Sequence, residues 1–243
     1  LDKDAAKIQS MFDNLAPRYN LMNRAMTFGM DQRWRKHTIR RAGIQPGDRV
    51  LDLAAGTGDL SFEALKQQPE ATVIAGDFSI GMLAQGIKSS SGDKVHWIAC
   101  DALNLPFADQ TFEVVVFGYL LRNVADLDAT LDEIYRVLKP GGRVVCLDTT
   151  PPPNGLLSPL IKIYLRLGLK VFARALASDP SGSGYRYLCD STLNFLPAAQ
   201  LAERFAARGY TSVGYRTFNF GIIAIHWAQR VRENQHEQTC ENG

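Results

Sequence analysis

The stretch Val50-Leu51-Asp52-Leu53-Ala54-Ala55-Gly56-Thr57-Gly58-Asp59 constrains the fold of this chain more than any other. A short apolar run, residues 49–53, ends in a turn with two glycines, and a helical pattern begins at Asp59. Strands buried on both faces read as continuous apolar runs, and a tight turn that passes such a strand into a helix opens a βαβ unit. The alternation then repeats. Residues 72–75 read as a second strand closed by Gly76-Asp77, flanked by helices over 59–66 and 79–88. Further strands are expected at 95–99, 112–117 and 143–148, the last after the turn Lys139-Pro140-Gly141-Gly142, with a helix over 127–138. A helix over 197–208 precedes two closing strands, 212–217 and 221–229, spaced for an antiparallel hairpin at the sheet edge. The fold class is α/β: a doubly wound, mostly parallel, seven-stranded sheet with a C-terminal hairpin.

Ahead of the sheet, apolar positions over 6–21 recur at helical spacing with a break at Pro17, and a second helix spans 31–42, making residues 1–45 a helical N-terminal arm. After Pro151-Pro152-Pro153 a long apolar helical stretch, 156–176, leads into a Gly/Ser-rich loop at 178–184. Residues 154–196 therefore read as a helical substrate or lid insertion within one domain of 1–230, and 231–243 as a polar tail. A length of 243 residues suits one such domain. A net charge of +2 lacks the field with which a protein grips many phosphates, so no nucleic-acid partner is expected. Cys100, Cys146, Cys189 and Cys240 lack Cys-x-x-Cys spacing, so neither a metal site nor a disulfide framework is expected. The first residues carry no secretory pattern, which gives a cytoplasmic reading with a trimmed start.

In a doubly wound sheet, ligands sit at the carboxyl ends of the strands, where small residues admit them to the backbone. A bare Gly-x-Gly turn is weak, because plain strand-to-helix connections use it too. Asp77 adds to it: the residue closes the second strand 19 positions beyond Gly58, near the offset expected of an acid that accepts both ribose hydroxyls. Asp101-Ala102, just after the third strand, offers a carboxylate and a backbone amide to an adenine edge. A nicotinamide dinucleotide and S-adenosylmethionine both fit an acid on a ribose. The turn favours the second, since Ser61 stands where the dinucleotide fingerprint has its third glycine, and Asp52 and Asp59 suit a sulfonium better than a pyrophosphate.

With these residues assembled, the chain resembles class I methyltransferases, and more narrowly the ubiquinone/menaquinone biosynthesis C-methyltransferase family. The telling stretches are Arg18-Tyr19-Asn20-Leu21-Met22-Asn23, Leu121-Arg122-Asn123-Val124 and Tyr185-Arg186-Tyr187-Leu188, with support from Met11-Phe12-Asp13-Asn14, Phe28-Gly29-Met30 and Trp34-Arg35. The resemblance implies a Rossmann-like fold and a cofactor site with Thr57, Asp77, Asp101 and Ala102, beside which Asp52, Ala54, Gly56, Gly58, Phe78, Met82 and Gly118 are expected to complete the cofactor contacts. It implies Arg122 and Tyr19 as catalytic, with Tyr19, Met22, Phe28, Asn123, Tyr185 and Tyr187 around a lipophilic quinol. Three positions depart from the family pattern: Ala55 for the first glycine of the turn, Gly118 for a serine, and Leu120 for a glycine.

A sulfonium already activates its methyl group, so such an enzyme must chiefly align the attacking carbon and exclude water. A hydroquinone carbon becomes nucleophilic once the neighbouring hydroxyl loses its proton. Arg122, always protonated, is expected to stabilise the resulting anion, and Tyr19 to position the ring; the plainer alternative for Arg122 is a surface or helix-dipole contact. Tyr185 and Tyr187 are expected either in a substrate lid or in core packing. His37, His96, His226 and His236 receive no proton-transfer role. Between 156 and 176 the only charged side chains are Lys162, Arg166, Lys170 and Arg174, a basic stripe within an arc of roughly 120° on an otherwise apolar helix. That pattern suits a helix lying in a lipid interface, peripheral on the inner face of the cytoplasmic membrane, or one that covers the sheet or forms a homodimer contact. The nearest rival activity is methylation of another small aromatic or lipophilic metabolite; a dehydrogenase and a cofactor-binding protein without catalysis are more distant.

Overall fold

The structure is a computed structural model that describes residues 5–89, 91–152, 187 and 190–232. The basic apolar stretch 156–176, the loop 178–184, Tyr185 and the tail beyond residue 232 lie outside the described residues.

Seven strands form one sheet: β1 (Arg49–Leu53), β2 (Thr72–Asp77), β3 (His96–Ala99), β4 (Phe112–Gly118), β5 (Leu138–Thr149), β6 (Thr211–Phe218) and β7 (Ile223–Gln229). Their order is β3-β2-β1-β4-β5-β7-β6. The first five run parallel, with Asp52 opposite Ala75 and Val116, and β7 runs antiparallel to both β5 and β6. The order of the strands reverses between β1 and β4, and such a switch point opens a crevice at their carboxyl ends.

Alternation along the central strands supplies a core on each face. Leu51, Leu53, Val115 and Phe117 pack to one side with Leu131, Ile134 and Phe205 from α6 (Leu127–Val137) and α7 (Ala198–Ala207). Val50, Val114 and Val116 pack to the other with Trp34 and Ile39 from α3 (Met30–Ala42) and Leu60 and Ala64 from α4 (Asp59–Gln67). Burying each of these larger side chains is worth roughly 1.5–3 kcal/mol. α5 (Ile80–Ile87) follows β2, and its Gly86 is a glycine for a packing reason: an added Cβ would stand 2.3 Å from the Trp97 ring.

The structure refines two sequence expectations. The closing strands do form the antiparallel hairpin at the sheet edge, and what the sequence left open is its order: β6 is the outermost strand and β7 lies between β5 and β6. Burial explains the order, because Ile223–His226 are buried while Thr211, Ser212, Tyr215, Arg216 and Thr217 are exposed and tolerate an edge. The Lys139–Gly142 turn is instead absorbed into β5 as an irregularity, Phe112 pairing with Leu138 and Val114 with Arg143, with Gly141 left-handed at φ +75°. The two-residue allowance on the opposite strand leaves the extra residues bulged out.

The arm is three helices rather than two. α1 (Ala5–Leu15) gives way at Pro17 to a 3-10 turn, Ala16–Arg18, after which α2 (Tyr19–Thr27) resumes. Phe28 and Gly29 are both left-handed and turn the chain into α3.

Candidate active site

The carboxyl ends of β1, β2 and β4, together with the segment after β3, converge on one cleft of about 930 Å³, open solvent at its mouth included. Leu53, Ala54 and Gly56 line it from β1, Asp77, Phe78 and Met82 from β2 and α5, Cys100 to Leu103 from β3, and Gly118 to Leu120 from β4. Asn123 to Ala125 complete this wall, and Ile8, Phe12 and Tyr19 of the arm form the outer one.

Local backbone strain gathers at this rim. Ala54 (φ +54°) and Tyr119 (φ +61°) are left-handed without being glycine, each one residue past the end of its strand. Such conformations cost roughly 1–2 kcal/mol each and persist only where surrounding structure imposes them. In the glycine turn the left-handed residues are Ala54, Gly56 and Gly58, so Ala55 is free of that constraint and its departure from the family pattern leaves the turn intact. Gly56 faces open space, with nothing within 4 Å of an added Cβ, and donates its N–H to Asp77 Oδ2 at 2.7 Å. Gly58 serves packing, since a Cβ there would stand 2.5 Å from Trp97. Gly118 has room for a side chain: its nearest neighbour would be Leu60 at 3.5 Å.

Asp77 lines the cleft while both carboxylate oxygens are held, Oδ2 by Gly56 and Oδ1 by the Ser79 N–H at 2.7 Å. Burial pushes its pKa up against these backbone donors. The Phe78 N–H bonds the carboxylate as well, and three donors leave part of its roughly four-site acceptor capacity for a diol. Asp101, exposed at the rim, is turned by the Leu103 N–H at 2.9 Å, and Ala102 is buried beneath it. Cys100 lines the cleft, but burial raises its thiol to about 12, so it is an apolar wall and no nucleophile.

Asp52 and Thr57 stand behind the wall. Asp52, 1% exposed, accepts from the Ser61 N–H at 2.9 Å and the Ser61 hydroxyl at 2.6 Å, locking the start of α4 to β1. Ser61 therefore has a structural use that its place in a glycine motif did not reveal. Thr57 donates to Asn20 Oδ1 of the arm at 2.8 Å. Burial lifts Asp52 to about 7, above the ~3.9 of an unfolded chain. Between those values the native state binds more protons than the unfolded state, so stability falls as pH rises from about 4 to about 7, by at most about 1.4 kcal/mol per pH unit for this group. Thermal unfolding of Asp52→Asn, which keeps an acceptor for Ser61, is expected to show a shallower decline over that window; slopes identical to the parent would discard this account.

Arg122 is 7% exposed and sits behind Tyr119, its guanidinium 5.2 Å from that ring. It donates to Thr149 Oγ1 at 2.8 Å and pairs with buried Asp148 at 3.6 Å, leaving Nε without a partner. Burial raises Asp148 to about 6 despite Arg122 and three backbone donors. The buried Tyr187 hydroxyl lies within electrostatic reach of Arg122 and has no hydrogen-bond partner among the described residues. Asn123 lines the cleft, donates to Tyr119 O at 2.8 Å, and keeps a buried Oδ1 unpartnered. Met22 is buried away from the cleft among Leu15, Tyr19 and Met26, and Phe28 is 74% exposed at the end of α2. The cleft thus gathers Tyr19, Ala54, Gly56, Asp77, Phe78, Met82, Asp101, Ala102, Gly118 and Asn123, and does not gather Asp52, Thr57, Gly58, Met22, Phe28 or Arg122.

Sequence reasoning assigned no role to Ile8, Phe12, Tyr119 or Arg35. Arg35, buried on α3, stands 3.6 Å from Asp31 and 3.4 Å from Asp59, within electrostatic reach of Tyr19 and Tyr119. The signal available was the Trp34-Arg35 stretch of the family resemblance, which carried no role for the residue.

Residues 1–230 match the ubiE/COQ5 methyltransferase family. A relative from Desulfotalea psychrophila, named ubiquinone/menaquinone biosynthesis C-methyltransferase UbiE, is 48% identical over 220 residues, 90% of this chain and 89% of its own. A demethylmenaquinone methyltransferase of Mycolicibacterium paratuberculosis is 42% identical over 230 residues, 95% of this chain and 96% of its own. Among solved structures, a methyltransferase of Thermotoga maritima superposes with a TM-score of 0.65 at 16% identity, covering 91% of this chain and 99% of that one. The Haemonchus contortus phosphoethanolamine N-methyltransferase 2, solved with S-adenosylhomocysteine, gives 0.62 at 16% identity over 82% of this chain, which spans about half (53%) of that protein. Both likenesses concern the fold.

Proposed function

This chain belongs to the ubiE/COQ5 methyltransferase family, and from that membership we propose that it transfers a methyl group from S-adenosylmethionine to a ring carbon of a prenylated quinol in quinone biosynthesis. The observation that carries the reading is the cleft at the switch point: Asp77, the Gly56 turn and Asn123 on the inner wall, Tyr19 on the outer. The names of the relatives, a ubiquinone/menaquinone C-methyltransferase and a demethylmenaquinone methyltransferase, support the substrate class.

The cofactor supplies an electrophilic methyl group. Asp77 would accept the ribose hydroxyls, and the amide of Ala102 with the carboxylate of Asp101 would read the adenine, with Phe78, Met82 and Leu103 offering apolar surface beside it. Ala54 and Gly56 would let the backbone approach the aminoacyl part. Tyr19 and Asn123 orient the quinol, and Arg122 favours its phenolate, raising electron density at the ring carbon. The apolar walls exclude water from the transfer.

We further propose that the basic apolar stretch 156–176, outside the described residues, brings the enzyme to anionic lipid, where a prenylated quinol resides. Among the described residues no helix is long and apolar enough to cross a membrane. Mass-shift detection of methyl transfer to chemically reduced quinols, in detergent and in anionic vesicles, tests both readings. Demethylmenaquinol or a ubiquinone precursor should gain 14 mass units, and charge reversal at Lys162 and Arg166 should lower turnover on vesicles alone. Methylation of soluble phenols in preference to every quinol would move the assignment to the rival substrate class.

A further inference from the structure

The N-terminal arm is tied to the sheet on both sides of the cofactor cleft. On the α5 side, Asp13 Oδ1 accepts from the Ser79 hydroxyl at 2.5 Å and from the Gly81 N–H at 2.9 Å, and Gln9 Nε2 donates to the Phe78 carbonyl at 3.0 Å. On the β1 side, Asn20 accepts from Thr57 at 2.8 Å. Between these two anchors the arm lays Ile8, Phe12 and Tyr19 across the cleft as its outer wall.

The α5 anchor reaches the ribose acid directly. Ser79 gives its hydroxyl to Asp13 and its N–H to Asp77 Oδ1, and Asp77 Oδ2 in turn holds the N–H of Gly56. Asp13, Ser79, Asp77 and Gly56 therefore form one run of hydrogen bonds from the arm to the glycine turn. Space is reserved for it as well: a Cβ on Gly81 would stand 2.9 Å from Asp13 Oδ1 and 3.1 Å from its Cα, so only glycine lets the arm seat this deeply. The outer wall covers the cleft that the cofactor must enter.

We propose that Asp13 is a positioning residue that couples seating of the N-terminal arm to occupancy of the cofactor cleft. This rests on the reading of the cleft as the S-adenosylmethionine site. A ligand that contacts both Asp77 and the arm binds the seated state better than the open one, so by linkage it seats the arm, and loosening the arm weakens the ligand by the same factor. The closed arm also carries Tyr19, so the acceptor site is completed only when the cofactor cleft is covered.

Calorimetric titration of the full chain with S-adenosylmethionine, paired with steady-state kinetics and limited trypsin digestion, tests the coupling. Asp13→Ala is expected to bind the cofactor about 10- to 100-fold more weakly, the range usual for coupling between sites. Its KM for the cofactor should rise in step while kcat at saturation changes by less than about 3-fold. Cofactor should slow tryptic cleavage after Arg18 in the parent much more than in this variant. Asp13→Asn, which keeps the acceptor oxygen, should recover most of the affinity, and Gly81→Ala, which obstructs the seat while leaving Asp13 in place, should reproduce the loss. Parent-like affinity in Asp13→Ala and Gly81→Ala, or a fall in kcat at unchanged affinity, overturns the proposal. A parent protein that binds no S-adenosylmethionine overturns the cofactor reading itself, and this inference with it.

Discussion

Asp77→Ala is expected to weaken S-adenosylmethionine binding by about 10²- to 10⁴-fold while leaving a folded protein. Two hydrogen bonds from a diol to a carboxylate are worth about 1.5–3 kcal/mol each, and every 1.4 kcal/mol is tenfold in affinity. The Gly56 and Ser79 N–H groups that Asp77 now holds would turn to water in the opened cleft, which limits the structural cost. Asp77→Asn discriminates further. Its single oxygen can keep one backbone donor but must present an NH2 to the other, so it should lose affinity and stability together, whereas the alanine variant loses mainly affinity. Titration calorimetry alongside thermal unfolding measures both, and an Asp77→Ala protein with parent-like affinity would falsify the placement of the ribose.

The second large effect concerns turnover. Arg122→Ala/Asp148→Asn is expected to lower kcat by about 10- to 100-fold and Arg122→Lys by less, because the guanidinium lies outside the cleft lining and acts on the phenolate through its charge rather than as a donor in contact with it. Cofactor affinity should hold in both, because Arg122 lies behind Tyr119 and outside the walls that Asp77 and Gly56 make. The double variant is needed because Arg122→Ala alone would strand Asp148, 1% exposed, without its cation; breaking a buried pair costs about 3–5 kcal/mol. Asp148 is already raised to about 6 by burial, and without Arg122 it would take up a proton at neutral pH, which softens that loss. Single-turnover kinetics on a reduced quinol gives the readout. Turnover equal to the parent in the double variant removes Arg122 from the chemistry and returns it to a packing role with Thr149 and Asp148.

These two residues differ in how readable they were. Asp77 could be placed from spacing alone, because a strand of known period ending in an acid after a glycine turn has one geometry in a parallel sheet, and the structure puts it on the cleft. Arg122 followed from family resemblance, and its neighbours Asp148, Thr149, Tyr119 and Tyr187 come from three separate parts of the chain. Asp52 shows a limit of the same kind. Its acidity pointed toward the sulfonium, yet Ser61, nine residues on, takes its Oδ2 from the first turn of α4.

Local signals were enough for the elements and for the crevice at the carboxyl ends of the strands. Apolar period, glycine turns and helix stops act over a few residues, so β1 to β5, their helices and the acid closing β2 were all written in short stretches of the chain. Contacts between distant stretches were not. That β7 sits inside β6, that the arm folds back so that Asp13 meets Ser79 and Gly81 across more than 60 positions, and that Tyr119 lines the cleft while Arg122 beside it does not are outcomes of packing. Such long-range pairs are selected by how whole faces bury one another and satisfy their polar groups, a quantity no local pattern carries.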